Sequence, residues 1–283
     1  MQFSYYPGCS LHATGVEYDA STRAVLAALG VDLIELEGWV CCGASSAHSA
    51  SGDLALSLPA INLALAQEAT RGDLLAPCAA CFNRAKTADY ALRHDPAQRQ
   101  KIEEAVDFTY TGAVHVRNPL EVVANEIGLE TVASHVTHPL RGLKVVSYYG
   151  CLLVRPPRLI EFDDPEHPVV MDQILRALGA EVKEWSYAVD CCGGSLALPR
   201  TDIATRLATN LARHACEAGA EALVTACPLC QMNLEMRQSN RPQLPIFYFT
   251  ELMGLAFGLP DVVGWFKKHL IDPRVVLRLA GVM

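Results

Sequence analysis

No run of lysine and arginine occurs anywhere in this chain, whose formal net charge is −8 at pH 7. Proteins that grip a phosphate backbone cluster their cations along one face, so nucleic acid is excluded as a partner. Also missing is a stretch of the ~20 uninterrupted apolar residues that a membrane span needs. The nearest candidate, Phe247 to Trp265, is broken by Glu251, Pro260 and Asp261 and reads as a buried strand and helix. Neither the basic nor the apolar region of a secretion signal follows Met1, which makes a cytoplasmic location the expectation, with contact to a membrane only peripherally and through partners. Gly-x-Gly-x-x-Gly and Walker sequences are absent too, so the text points to no nicotinamide, flavin or nucleotide site of its own.

What the chain does have is cysteine, eleven of them in 283 residues. In a reducing compartment these are metal ligands or redox groups before they are a disulfide framework. Ten of the eleven fall into a pattern written twice. Cys9 in Ser4-Tyr5-Tyr6-Pro7-Gly8-Cys9 is answered by Cys151 in Ser147-Tyr148-Tyr149-Gly150-Cys151. Cys41-Cys42-Gly43 is answered by Cys191-Cys192-Gly193, and Cys78-Ala79-Ala80-Cys81 by Cys227-Pro228-Leu229-Cys230. The offsets are 142, 150 and 149 residues, so the copies differ in loop length and not in plan. Flanking text agrees: Val25-Leu26-Ala27-Ala28-Leu29-Gly30 is matched by Ile174-Leu175-Arg176-Ala177-Leu178-Gly179. An internal duplication follows, with one half spanning residues 1–138 and including a helical connection, and the other spanning 139–283 with a helical tail.

Within each half, short apolar runs alternate with helical periodicity. Strands are expected at Gln2 to Tyr6, Val31 to Leu36, Asp73 to Ala76, Lys144 to Tyr149, Glu181 to Trp185, Ala222 to Thr225 and Pro245 to Phe249. Helices are expected from Val16 to Leu29, Asp53 to Thr70 with Asp53 as N-cap, Phe82 to Leu92, Val169 to Leu178 and Asp202 to Ala218. The stretch from Pro96 to Pro139 reads as helical connection. The expected fold class is therefore α/β, with two duplicated Rossmann-like parallel-sheet domains related by pseudo-symmetry. Every cysteine of the pattern then lies at a strand's carboxyl end, the edge at which such sheets bind ligands.

Each half offers five thiols, whereas a closed structural zinc site takes four ligands. Adjacent cysteines chelate one small ion poorly, but they suit the neighbouring irons of a cluster. Iron and sulfur therefore fit better than zinc, and a zinc-stabilised scaffold is the alternative of another class. A thioredoxin-like dithiol at either Cys-x-x-Cys is a further alternative, weakened because each motif is tied to a Cys-Cys-Gly and an upstream cysteine.

With this order of cysteines, the chain resembles the B-subunit family of heterodisulfide reductases, whose CCG domain has a lone Cys, then Cys-Cys-Gly, then Cys-x-x-Cys. Tyr149-Gly150-Cys151-Leu152-Leu153-Val154-Arg155-Pro156-Pro157 and Tyr248-Phe249-Thr250-Glu251-Leu252 are similar to that family beyond the cysteines. The resemblance implies two non-cubane 4Fe-4S clusters, held by Cys9, Cys41, Cys42, Cys78 and Cys81 and by Cys151, Cys191, Cys192, Cys227 and Cys230. It implies cleavage or formation of a disulfide between them, with a ferredoxin-like iron–sulfur subunit and a flavin-containing subunit as partners. A CCG-domain electron-transfer subunit of a quinone-linked dehydrogenase is the competing expectation. The spacer before the second Cys-x-x-Cys is 34 residues against 35 in the first half, a difference that a loop absorbs.

Four other side chains are candidates. His12 and His48 stand three and six residues after Cys9 and Cys42, and histidine, as a residue type that titrates near neutrality, suits proton donation to a leaving thiolate. Arg155 and Arg158, in a proline-stiffened loop, suit an anionic substrate group. Cys216, outside both sets, is expected to be a small buried packing residue.

Overall fold

The structure, a computed structural model, describes residues 1–44, 47–239 and 243–283, with every side chain among them except that of His48. The strand β1 (Gln2–Tyr5) is flanked by β2 (Asp32–Glu35) and β3 (Leu74–Leu75), and β4 (Val116–Arg117) lies beyond β3, giving the order β2-β1-β3-β4. A second sheet repeats it as β6-β5-β7-β8, from β5 (Lys144–Tyr148), β6 (Glu181–Val182), β7 (Ala222–Thr225) and β8 (Ile246–Tyr248). All pairings in both sheets are parallel. The central strands are buried on both sides, as the pattern of a parallel sheet covered by helices requires: all four residues of β7 are buried, and all of β5 but its first.

The expected strands and helices are present, mostly trimmed at their ends. Two local readings need correction. Inside the stretch read as helical connection, β4 completes the first sheet, in register with β3 through Leu74 to Val116 and Leu75 to Arg117. Two residues of strand are too few to show an alternation. The helix Gly52–Ala69 is capped by Ser51, whose hydroxyl accepts from the Leu54 amide, while Asp53 lies in the first turn and pairs with Lys101.

In each sheet the chain steps from the first strand to one neighbour and then crosses over to the other side. The switch point thus lies between β1 and β3, and again between β5 and β7, and there a crevice opens at the carboxyl ends. The two sheets share one buried apolar core that runs from Phe3 to Leu277, with a smaller cluster around Tyr148, Leu211 and Leu234 in the second half. The helix Val16–Ala28 of the first half packs on the helix Phe249–Phe257 of the second, where the Ser21 and Thr250 hydroxyls meet at 2.7 Å in a buried contact. The connection joins the second half as well, since the amides of Thr137 and His138 both donate to the Ala256 carbonyl.

Candidate metal centre

Each half builds its site in the same three moves. After the first strand the chain turns at a glycine with positive φ, Gly8 at +69° and Gly150 at +64°, and delivers Cys9 or Cys151. A side chain is unwelcome at either place, because a Cβ would come 2.8 Å from Cys81 Sγ at Gly8 and 3.3 Å from Cys230 Sγ at Gly150. After the second strand, the loop with the cysteine pair is anchored by a buried tyrosine. The Tyr6 hydroxyl donates to the Val40 carbonyl at 2.8 Å, and the Tyr148 hydroxyl to the Asp190 carbonyl at 2.7 Å. In both halves the accepting carbonyl belongs to the residue just before the pair. In the first half Asn62 adds a second anchor, accepting from the Val40 amide and donating to its carbonyl, both at 2.9 Å. In the second half Asn233 donates to the Cys192 carbonyl at 2.7 Å.

After the third strand, the first cysteine of each Cys-x-x-Cys is the N-cap of a helix, Ala79–His94 behind Cys78 and Pro228–Arg237 behind Cys227. Cys81 and Cys230 then lie in the first turn of those helices; the dipole there favours thiolate, but hydrogen bonds to Cys42 and Cys192, together with burial, push both thiols well above the usual range. The thiols meet in pairs: Cys9 with Cys41 at 4.0 Å, Cys42 with Cys81 at 3.3 Å, and Cys192 with Cys230 at 3.6 Å. Cys151 is also near enough to Cys191, and Cys78 to Cys227 across the two halves, for each thiol to shift its partner's pKa. Cys9, Cys41 and Cys191 face solvent, whereas Cys78 and Cys227 are buried where the halves join.

These pairs cannot all ionise together. The hydrogen bond from Cys81 lowers the Cys42 thiol to about 7, helped by the Ala44 amide and the Arg84 cation against the cost of burial. The hydrogen bond from Cys151 lowers Cys191 to about 6, again against burial and with help from the Gly193 amide. Their donors move the other way: Cys81 is raised by its bonds to Cys42 and Cys78, and Cys151 by its bond to Cys191. A metal centre reverses this, because cations stabilise every thiolate at once and binding releases the protons. Among the described residues, no three His, Cys, Asp or Glu side chains are gathered around a single-ion site. Five thiols per half in linked pairs, with glycine leaving room beside Cys81 and Cys230, form a donor set that fits an iron–sulfur cluster.

The other candidates are placed as follows. His12 is half exposed, with Nε2 3.1 Å from Glu35 and its ring edge-on to Trp39. The side chain of His48 lies outside the described residues, on the short helix Ala47–Ala50. Arg155 is held by Glu166 at 2.8 Å and by the Pro165 carbonyl, while Arg158 is exposed. Cys216, expected to be buried, is exposed, because Ala212 and Ala215 take the packed side of the helix Thr201–Glu217.

Sequence reasoning missed the tyrosine anchors, although the Tyr-Tyr doublet was visible in both copies. It also missed Asn83, two residues past Cys81, which donates to the Leu152 and Arg155 carbonyls at 2.9 and 2.7 Å and so ties the loop after Cys151 to the first half's helix. A further buried network carries no motif. The His269 side chain is fully buried and bridges Glu235 at 3.0 Å and Glu251 at 2.9 Å, tying the C-terminal tail to the helix capped by Cys227. Burial alone lowers its pKa, but the two carboxylates outweigh that and raise it to about 10.

Known proteins are similar to this chain in each half and along nearly its whole length. The cysteine-rich domain family CCG matches residues 3–85 and 145–235, one match per half. The 8-methylmenaquinol:fumarate reductase membrane anchor subunit of Wolinella succinogenes is 32% identical over 281 residues, covering 96% of this chain and 97% of that one. The B subunit of the ferredoxin/F(420)H(2)-dependent CoB-CoM heterodisulfide reductase of Methanosarcina acetivorans is 29% identical over 278 residues, covering 93% of this chain and 92% of that one. Among solved structures, a hypothetical protein from Helicobacter pylori superposes with a TM-score of 0.75 at 13% identity, covering 96% of this chain. The chain spans about half, 52%, of that protein, and the likeness is one of fold.

Proposed function

The chain belongs to the CCG cysteine-rich domain family and is related along nearly its whole length to the B subunits of heterodisulfide reductases, and on that footing we propose that it is an iron–sulfur oxidoreductase subunit acting on a disulfide or its dithiol. The observation that supports the reading is that Cys78 and Cys227, one from each five-cysteine set, are both buried, and that the carbonyls just before them, of Pro77 and Ala226, lie 3.4 and 3.3 Å from one Tyr18 hydroxyl. Reducing a disulfide takes two electrons and two protons and yields two thiols. An iron–sulfur cluster of the non-cubane 4Fe-4S type in each set would supply electrons one at a time, one cluster to each sulfur.

The chain's own groups do the rest. Tyr6 and Tyr148 fix the cysteine-pair loops, Asn83 fixes the loop after Cys151, and the solvent-facing side at Cys9, Cys41 and Cys191 admits the substrate. His12, half exposed and one turn past Cys9, is the proposed proton source for a departing thiolate, and Arg158 the proposed contact for an anionic substrate. Electrons would come from a ferredoxin-like iron–sulfur subunit and a flavin-containing subunit on the cytoplasmic side. The test is reduction of a panel of organic disulfides by anaerobically loaded protein with a viologen donor. Turnover that falls at least tenfold in both Cys42→Ser and Cys192→Ser supports the scheme, and full turnover in either variant refutes it.

A second reading has support of its own, in the Wolinella relative and in the tail. There Leu270, Val275 and Leu279 are exposed beside Lys267, Lys268 and Arg278. Basic and apolar residues together suit the surface of an anionic bilayer. Among the described residues no helix is long and apolar enough to cross a membrane, so this contact would be peripheral and the subunit would pass electrons to or from a quinone. Oxidation of a menaquinol analogue by the loaded protein, without disulfide turnover, would favour this reading over the first.

A further inference from the structure

Between the two Cys-x-x-Cys loops stands one side chain that touches both. Tyr18, on the helix Val16–Ala28, is fully buried. Its hydroxyl lies 3.4 Å from the Pro77 carbonyl and 3.3 Å from the Ala226 carbonyl. Those residues immediately precede Cys78 and Cys227, and they belong to different halves. The Tyr18 ring stacks on Tyr248 at 4.3 Å with planes 5° apart, so the phenol is wedged and cannot follow either loop independently. The turn before it is equally close to the second loop: a Cβ on Gly15 would sit 3.0 Å from Pro228 Cβ and 3.4 Å from the Tyr248 hydroxyl.

We infer that Tyr18 is a positioning residue common to both metal sites, and that through it the filling of one site favours the filling of the other. The inference rests on the metal-binding reading above. A phenol has one proton, and both contacts are long for an O–H···O bond, so the hydroxyl is shared and gives neither loop a full hydrogen bond. Ligation at Cys78 fixes the peptide that carries the Pro77 carbonyl. The wedged ring is fixed with it, and the Ala226–Cys227 peptide then meets a partner already in place. The cost of ordering the shared residue falls on the first site alone, which makes the second easier to fill.

The test counts loaded species. Metal-free full-length chain is reconstituted anaerobically with iron and sulfide at half the amount needed to fill both sites, and native mass spectrometry reads the fractions carrying none, one and two clusters. Independent sites leave about half of the molecules singly loaded, and a tenfold coupling leaves about a quarter. The wild-type chain is expected to show the smaller fraction. Tyr18→Phe keeps the ring stack and loses the hydroxyl, and is expected to restore the statistical distribution.

Ser21→Ala removes the buried contact with Thr250 between the halves and the bond to the Tyr18 backbone carbonyl, but leaves the Tyr18 phenol and both loops in place, and is expected to behave as wild type. A statistical distribution in the wild-type chain overturns the inference while leaving the metal-binding reading intact. An excess of singly loaded chains overturns it too, because the loops would then be competing for the proton. A Ser21→Ala effect as large as that of Tyr18→Phe would assign the coupling to the interface at large and overturn the role given to Tyr18. Failure of any cluster to form overturns both readings.

Discussion

Tyr6 and Tyr148 are the same residue written twice: each is buried at the end of a first strand, and each phenol donates to the carbonyl that precedes a cysteine pair, at 2.8 and 2.7 Å. Their surroundings differ in one respect. The Val40 carbonyl that receives Tyr6 also accepts from Asn62 at 2.9 Å, whereas the anchor at Asp190 is Tyr148 alone among the described side chains.

Phenylalanine at these positions is therefore expected to have unequal effects. Tyr6→Phe leaves Val40 with a donor and should cost about 0.5 kcal/mol, while Tyr148→Phe should cost about 1.5 kcal/mol. Denaturant midpoints of the metal-free variants check this. Equal losses would mean that Asn62 contributes nothing to the first loop.

Alanine at the two glycines should also separate the halves. Gly8→Ala and Gly150→Ala share the strain of positive φ, but the added methyl meets Cys81 Sγ at 2.8 Å in the first and Cys230 Sγ at 3.3 Å in the second. The first variant should lose iron from one half, and the second should retain more. Iron per chain after identical anaerobic reconstitution decides between this order and its reverse.

The His269 bridge makes stability fall on the alkaline side. Its folded pKa of about 10 lies above the unfolded value of about 6.5, so the folded chain binds the extra proton. The stabilisation is complete below about pH 6.5 and is lost as pH rises toward 10. His269→Gln leaves two buried carboxylates without their cation and should cost about 3 kcal/mol near neutrality. Thermal unfolding of wild type and variant from pH 6 to 10 should show the gap narrowing with pH. A gap that stays constant would contradict the assignment.

Much of the site was legible because its chemistry is written locally. Cys-Cys-Gly, Cys-x-x-Cys and Gly-Cys each place their residues within a single turn, and their repetition revealed both halves and the strand ends that carry them. What was not legible depends on contacts between distant parts of the chain. The Tyr6 and Tyr148 acceptors lie 34 and 42 residues away. The Tyr18 hydroxyl lies 3.3 Å from a carbonyl 208 residues on. His269 is an ordinary tail histidine until the fold brings Glu235 and Glu251 against it. The strand β4 was hidden for a different reason, since its two residues acquire meaning only beside β3.

The central claim is that each five-cysteine set holds an iron–sulfur cluster. The most direct measurement is the iron, acid-labile sulfide and zinc content of anaerobically purified protein, with the visible spectrum of the same sample. Two 4Fe-4S clusters predict about eight iron and about eight sulfide per chain, with no zinc. About four iron would leave one half empty and contradict the two-cluster scheme, and zinc without iron or sulfide would contradict the redox reading and leave a zinc-stabilised scaffold.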